Sequence, residues 1–202
     1  MITREYFQRD AKAVARDLLG QKLIRQLPDG KQLSGIIVET EAYLGVKDKA
    51  AHTFNGKRTP RNESMYLTGG HAYVYFTYGM HYCFNVTSGT KDEPTAVLIR
   101  GLEPLTGIEQ MRVNRSRKID IKRLRDVDLC SGPAKLCQAM NIDKELDGTN
   151  LLEGDQLRIM EGQIVSEHDV ITTSRVGIGY AEEWVNKPLR FYVKNNPHVS
   201  VK

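Results

Sequence analysis

The chain has 202 residues, 40% of them hydrophobic and 27% charged, with a net charge of +4, which fits one soluble globular unit at the upper edge of single-domain size. No apolar run approaches the about 20 residues needed to cross a bilayer, and residues 1–7 lack the apolar core of a signal peptide, so a cytoplasmic protein without membrane contact is expected. The three cysteines Cys83, Cys130 and Cys137 cannot all pair, and reduced, buried thiols are expected rather than a disulfide.

Asp10 precedes Ala-Lys-Ala-Val-Ala-Arg-Asp-Leu-Leu and Gly20, which reads as a capped helix ending on glycine. Residues 22–27 and 33–43 flank the turn Pro28-Asp29-Gly30 and read as a β-hairpin. Residues 72–78 and 82–87 are rich in aromatic and β-branched side chains and join at Gly79, a second hairpin; residues 95–100 form a further strand. Thr106 can cap a helix whose Ile108 and Met111 fall three apart. Ser131-Gly132-Pro133 opens another, with Leu136, Cys137 and Met140 on one face. Short strands near 156–160 and 189–193 close the chain. The fold class expected is α+β: a single domain, residues 1–202, with a mostly antiparallel β-sheet core, surrounding helices and a protruding β-hairpin.

Strand alternation in residues 36–43 puts Glu39, Glu41 and Tyr43 on one face and Val38, Thr40 and Ala42 on the other. Two readings stand: a solvent-exposed face, or a carboxylate held in a cleft as a general base. Tyr73, Tyr75, Phe76, Tyr78 and Tyr82 cluster around the hairpin turn, either as core packing or as rings presented for stacking on bases. His52 follows the Glu41 strand across a short polar loop. No His or Cys pattern has metal-ligand spacing, and no phosphate-binding glycine loop or serine nucleophile elbow occurs, so neither metal nor cofactor is expected. Charge is unevenly spread. Residues 112–125 hold seven basic side chains against one acid, Asp120, and Lys57, Arg58 and Arg61 form a smaller cluster. Such a distribution suits a polyanion partner, though a solvated loop would show it too.

Several segments, in order, resemble the alkyladenine (3-methyladenine) DNA glycosylase family. They are Val38-Glu-Thr-Glu-Ala-Tyr-Leu-Gly45, Ala50-Ala-His52, Arg58-Thr-Pro-Arg-Asn62, Tyr73-Val-Tyr-Phe-Thr-Tyr-Gly-Met80 and Cys83-Phe-Asn85. Leu98-Ile-Arg-Gly-Leu-Glu-Pro104, Cys130-Ser-Gly-Pro-Ala-Lys-Leu-Cys-Gln-Ala139, Arg175-Val-Gly-Ile-Gly179 and Trp184-Val-Asn-Lys-Pro-Leu-Arg-Phe-Tyr-Val193 complete the set. The resemblance implies a monofunctional glycosylase of base excision repair acting on alkylated, deaminated or etheno purines in double-stranded DNA. Glu41 would be the general base for the attacking water, helped by Arg100 and by the main-chain carbonyl of Val176. Tyr43, His52 and Tyr75 would wall the pocket, Asn85 would crowd the exocyclic amine of normal guanine, and Leu98 would border the same region. Tyr78 would wedge into the duplex as the target nucleotide is flipped out. Lys57, Thr59, Arg61, Met80, Lys135 and Lys144 fall at backbone-contact positions, Lys135 in a helical first turn that attracts phosphate.

Two departures stand out: His81 where an aromatic ring is expected, and no long N-terminal extension. The second points to a bare catalytic domain of bacterial type; a nucleoid-associated location is expected for a DNA enzyme, and a monomer because one catalytic domain can engage one lesion. Two other classes remain: a catalytically silent lesion-binding module, for which Glu41 would be dispensable, and a hydrolase of free nucleosides, which would need neither wedge nor phosphate grip.

Overall fold

The computed structural model describes residues 2–116 and 124–201. Two short helices come first, α1 (Arg4–Phe7) and α2 (Ala11–Asp17). Asp10 caps α2 as its side chain accepts from the amides of Lys12 and Ala13 at 2.9 and 3.4 Å, satisfying donors the helix cannot. Then follow β1 (Lys22–Gln26), β2 (Gln32–Tyr43), β3 (Ala72–Thr77), β4 (His81–Ser88) and β5 (Thr95–Thr106). Helices α3 (Ile108–Arg115) and α4 (Pro133–Met140) precede three four-residue strands, β6 (Leu157–Met160), β7 (Val170–Thr173) and β8 (Arg190–Val193).

The strands form one sheet in the order β3-β4-β5-β2-β1-β6, and β8 joins the C-terminal half of β2 with β7 outside it. Among the described residues every strand pair is antiparallel. With helices packed on it, the sheet makes an α+β fold, and both predicted hairpins are present. α2 lies on β2 and β5, where Val14, Ala15 and Leu18 join Ile37, Ile99 and Leu102 in the main apolar core. α4 adds Leu136, Cys137 and Met140 to the same core from the β4–β5 side. All three cysteines are buried and free.

Several boundaries differ from the sequence reading. Thr106 ends β5 instead of capping α3; Gly107 holds the cap position at φ 75°. Only glycine fits there, since a Cβ would stand 2.4 Å from Leu33 Cδ2 and 2.7 Å from the Gln32 carbonyl oxygen. Ser131 is likewise outside α4, whose cap is Gly132 and whose first residue is Pro133. β5 runs six residues past the predicted Arg100 because Leu102, Glu103 and Pro104 keep pairing with β2.

The strict alternation expected in β2 also breaks. Ile37 pairs with Leu102 and Glu39 with Gly101, so Val38 is an extra residue in the ladder. Val38 therefore packs with Ile36 and Val199 in a separate small cluster, not with Ala42 in the main core. Next, Thr40 pairs with Ile99, which leaves Arg100 extra on the partner strand. Two opposed bulges thus restore the register and reaim two side chains.

Candidate active site

The face of β2 that carries Glu39 and Glu41 is closed to solvent: both carboxylates are 0% exposed. That decides against a solvated face. A buried carboxylate needs donors and opposite charge, and Glu41 has both. Its Oε1 accepts from the Val176 amide at 2.7 Å and lies 3.4 Å from Arg100 Nη1, while its Oε2 accepts from the Tyr43 hydroxyl at 3.0 Å. Val176 thus meets Glu41 through its N–H, a contact separate from the one to the attacking water that the resemblance implies for its carbonyl. Burial is the largest influence on Glu41 and holds its pKa above the ordinary glutamate value; Arg100, the Val176 amide, Tyr43 and Arg175 pull it partly back. Burial also opposes the charge on Arg100, yet Glu41 and Glu39 outweigh it and its pKa stands above the usual arginine value.

The loop bearing Val176 is itself anchored. Arg175 forms a fully buried bidentate pair with Asp48, Nη1 to Oδ2 at 2.6 Å and Nη2 to Oδ1 at 2.9 Å, and donates to the Ala42 carbonyl at 2.9 Å. Its guanidinium lies 4.6 Å from the centre of the Tyr43 ring. Asp48 in turn accepts from the amides of Leu44 and Ala50. Tyr43, Val176 and the loop after β2 are therefore fixed by one ion pair.

Tyr43 connects this centre to a narrow aromatic pocket, about 50 Å³, lined also by Ala50, His52, Tyr75, Asn85 and Tyr180. His52 and Tyr75 meet edge to face at 4.5 Å, and His52 Nδ1 lies 2.8 Å from the Tyr73 hydroxyl. Although His52 is exposed in area, desolvation against these rings, with Arg61 and Lys57 nearby, pushes its pKa down to about 4. The ring is neutral at neutral pH. Asn85 is buried and donates to the Tyr73 carbonyl at 3.0 Å. Leu98 pairs with Glu41 on one side and Asn85 on the other, so it joins the two centres within the sheet but is not among the lining side chains.

The pocket shares Ala50, His52, Tyr73 and Tyr180 with a wider cleft of about 500 Å³ whose walls include Lys49, Lys57, Thr59 and Arg61. A concave aromatic slot beside a buried, ion-paired carboxylate and opening into a cationic cleft can hold a planar ring attached to a polyanion.

The family model for methylpurine-DNA glycosylase matches residues 5–197. The chain belongs to the methylpurine-DNA glycosylase family. It is 49% identical over 201 residues to the human DNA-3-methyladenine glycosylase, an alignment covering 98% of this chain and 67% of the human protein. The mouse protein of the same name is also 49% identical, with 98% of this chain and 60% of that protein covered. A Natranaerobius thermophilus protein provisionally assigned as a 3-methyladenine DNA glycosylase is 46% identical, with 98% and 97% covered. Family membership makes the chain a DNA glycosylase, a hydrolase of N-glycosyl bonds.

On this glycosylase the predicted contact residues are dispersed in an ordered way. Tyr78 sits at the tip of the β3–β4 hairpin, 85% exposed, in the left-handed conformation at φ 50°, with exposed Met80 beside it. Arg61 braces that hairpin by donating to the Phe76 carbonyl at 2.8 Å. The aromatic cluster read from sequence splits by strand alternation: Tyr73 and Tyr75 face the pocket, and Phe76 pairs with Tyr82 across the hairpin at 5.1 Å. Lys135 lies in the first turn of α4. Lys144 donates to Asp147 at 2.7 Å and to the Val74 carbonyl at 3.2 Å, which ties it to the base of the hairpin.

Arg58, unlike Lys57 and Arg61, is committed internally to Glu63 and Asp92. Within the run 112–125, residues 117–123 lie outside the described residues. Arg112 pairs with Asp126, Arg115 donates to Gln138 at 2.5 Å, and Arg125 pairs with Asp128 at 2.7 Å. Sequence reasoning missed Tyr180, Asp48 and Arg175. The last stood within a quoted motif; Tyr180 and Asp48 carried no local signal, because their partners are distant in sequence. Among the described residues no helix is long and apolar enough to cross a membrane.

Proposed function

We propose that this glycosylase excises damaged purines, 3-methyladenine among them, from double-stranded DNA with a water that Glu41 activates, leaving an abasic site for base excision repair. The observation that carries the reading is the buried Glu41 carboxylate, held by Arg100, Val176 and Tyr43 and joined through Tyr43 to the aromatic pocket. A base within the duplex is out of reach, so its nucleotide swings into the pocket while Tyr78 fills the space left behind. Tyr43, Tyr75 and neutral His52 stack on the purine, and a cationic alkylated base gains most from their π-faces without opposing charge from His52. Asn85, fixed by the Tyr73 carbonyl, crowds the exocyclic amine of normal guanine, with Leu98 behind it. Lys57, Thr59, Arg61, Met80, Lys135 and Lys144 grip the backbone on either side.

In the reaction the water oxygen bonds to C1′ and its proton passes to Glu41. The C1′–N bond breaks with its electron pair leaving on the purine. Positive charge builds on the sugar, and the carboxylate stabilises it while activating the water. Arg100 keeps Glu41 ionised and oriented; the main-chain carbonyl of Val176 completes the grip on the water. The scheme needs no lysine Schiff base, so the strand is not cut. A single chain suffices for one lesion, and a monomer is the working form.

The test is incubation of the pure protein with an end-labelled duplex containing one hypoxanthine or ethenoadenine, in parallel with methylated DNA. Strand scission only after alkali supports the reading. Scission without alkali, or intact lesion binding with no release from any of these substrates, overturns it, the latter in favour of a silent lesion-binding module. Release from free nucleosides alone would instead favour a nucleoside hydrolase.

A further inference from the structure

Behind Glu41 lies a second carboxylate that the proposed chemistry does not consume. Glu39 is 0% exposed and fully engaged. Its Oε1 accepts from Arg100 Nε at 3.0 Å, Arg190 Nε at 2.8 Å and Ser200 Oγ at 2.9 Å; its Oε2 accepts from the Ser200 amide at 2.7 Å. Arg100 is thus held at three points: Nε on Glu39, Nη2 on Ser200 Oγ at 3.3 Å, and Nη1 towards Glu41 at 3.4 Å.

The backbone is built for this arrangement. Arg100 is the extra residue of its bulge, which frees its side chain from ordinary strand alternation. Its neighbour Gly101 lets two other segments approach: a Cβ there would stand 3.0 Å from the His198 carbonyl oxygen and 3.3 Å from Glu39 Cβ. The C-terminal segment 198–201 can therefore lie against Glu39 and deliver Ser200. Arg190 donates to the Val201 carbonyl as well as to Glu39, fastening the same segment. Charge balances locally, with Glu39 and Glu41 against Arg100 and Arg190. Because Arg190 neutralises Glu39, the charge of Arg100 stays available to Glu41.

We propose that Glu39, together with Ser200, is a positioning residue for base excision: it fixes the Arg100 guanidinium so that one of its nitrogens faces the Glu41 carboxylate. This rests on the role of Glu41 proposed above. Without the Glu39 charge, Glu41 is the carboxylate left to Arg100 among its ion pairs in the described residues, and the neutral Ser200 hydroxyl holds it weakly. It closes on that carboxylate, making it a weaker base and obstructing the water. The other groups that face Glu41 are unaltered: Tyr43 on its own strand, Arg175 and Tyr180 from the loop after β7, and Cys83 on β4.

The experiment is the pH dependence of single-turnover base release by Glu39→Gln, alongside lesion-DNA affinity and thermal unfolding. The rate should fall about 100-fold, the scale of a misplaced catalytic group, while affinity stays at the wild-type value because Glu39 lines neither pocket nor cleft. The acid limb of the profile should move down by about one pH unit, as an approaching cation would cause. Glu39→Asp keeps the charge and should return the limb to its wild-type position. A purely structural role would lower stability or the active fraction and leave the limb in place; that result, or an unchanged rate, overturns the proposal. If Glu39→Gln does not fold, Ser200→Ala decides. It removes one anchor of Arg100 and should slow release several-fold at unchanged affinity, and no slowing rejects the proposal. Absence of release by the wild type would instead strike the underlying role of Glu41, and this inference would fall with it.

Discussion

At the scale of single residues the site turns on how a carboxylate is kept useful inside protein. Desolvation disfavours the ionised form of Glu41, and its donors only partly reverse this, leaving its pKa above the ordinary value. A general base works when ionised, so excision should accelerate as pH rises through that raised pKa and fail below it. Tyr43→Phe deletes the 3.0 Å hydrogen bond to Oε2. Its carboxylate should be harder to ionise, so the acid limb of single-turnover excision moves to higher pH, opposite in sign to the shift expected for Glu39→Gln. A limb that stays put in Tyr43→Phe would show that another group sets it. Burial, the first requirement for all of this, was not decidable from the strand pattern, because alternation puts Glu39 and Glu41 together on one face without saying what covers it. The cover comes from β8 and residues 198–201, more than a hundred positions away.

At the scale of elements the hairpin β3–β4 is the clearest case of sequence predicting form. Its aromatic and β-branched strands and the glycine turn announce it, and the left-handed φ at Tyr78 and Gly79 makes the tip. With Tyr78 85% exposed, Tyr78→Ala should change unfolding free energy by no more than about 0.5 kcal/mol. If the side chain is the wedge, affinity for lesion duplex should drop at least about 10-fold, with less effect on single-stranded substrate, where no stack has to be filled. Equal losses on both would remove the wedge role. Other features were not legible: β7 went unread, and the bulges at Val38 and Arg100 follow from how two strands meet, not from either strand's own residues. Gly107 and Gly132 take cap positions where Thr106 and Ser131 had the better side chains, because close approach at Gly107 and a positive φ at both outweighed capping propensity.

At the scale of the whole molecule, modest net charge conceals a local field. Arg58, Arg112 and Arg125 spend their charge on carboxylates of the same chain, whereas Lys57 and Arg61 line the cleft that leads to the pocket. The salt dependence of duplex binding should therefore be carried substantially by the cleft. Replacing both Lys57 and Arg61 by alanine should reduce the slope of log affinity against log salt by about 1.8, roughly 0.9 per lost phosphate contact. An unchanged slope would move the DNA to another face. The cationic character was visible in the sequence, but which cations were free was not, since that depends on folding partners such as Asp92 and Asp126.

The central claim, that a buried Glu41 activates the water while the rest of the molecule finds and holds the lesion, is tested most directly by one paired measurement on Glu41→Gln. Equilibrium binding to a duplex with a single hypoxanthine and single-turnover base release should be taken from the same folded preparation. The account predicts wild-type affinity with release slowed by at least about 100-fold, the lower bound for losing a general base. Release at the wild-type rate, with binding intact, would contradict it and leave Glu41 a structural carboxylate.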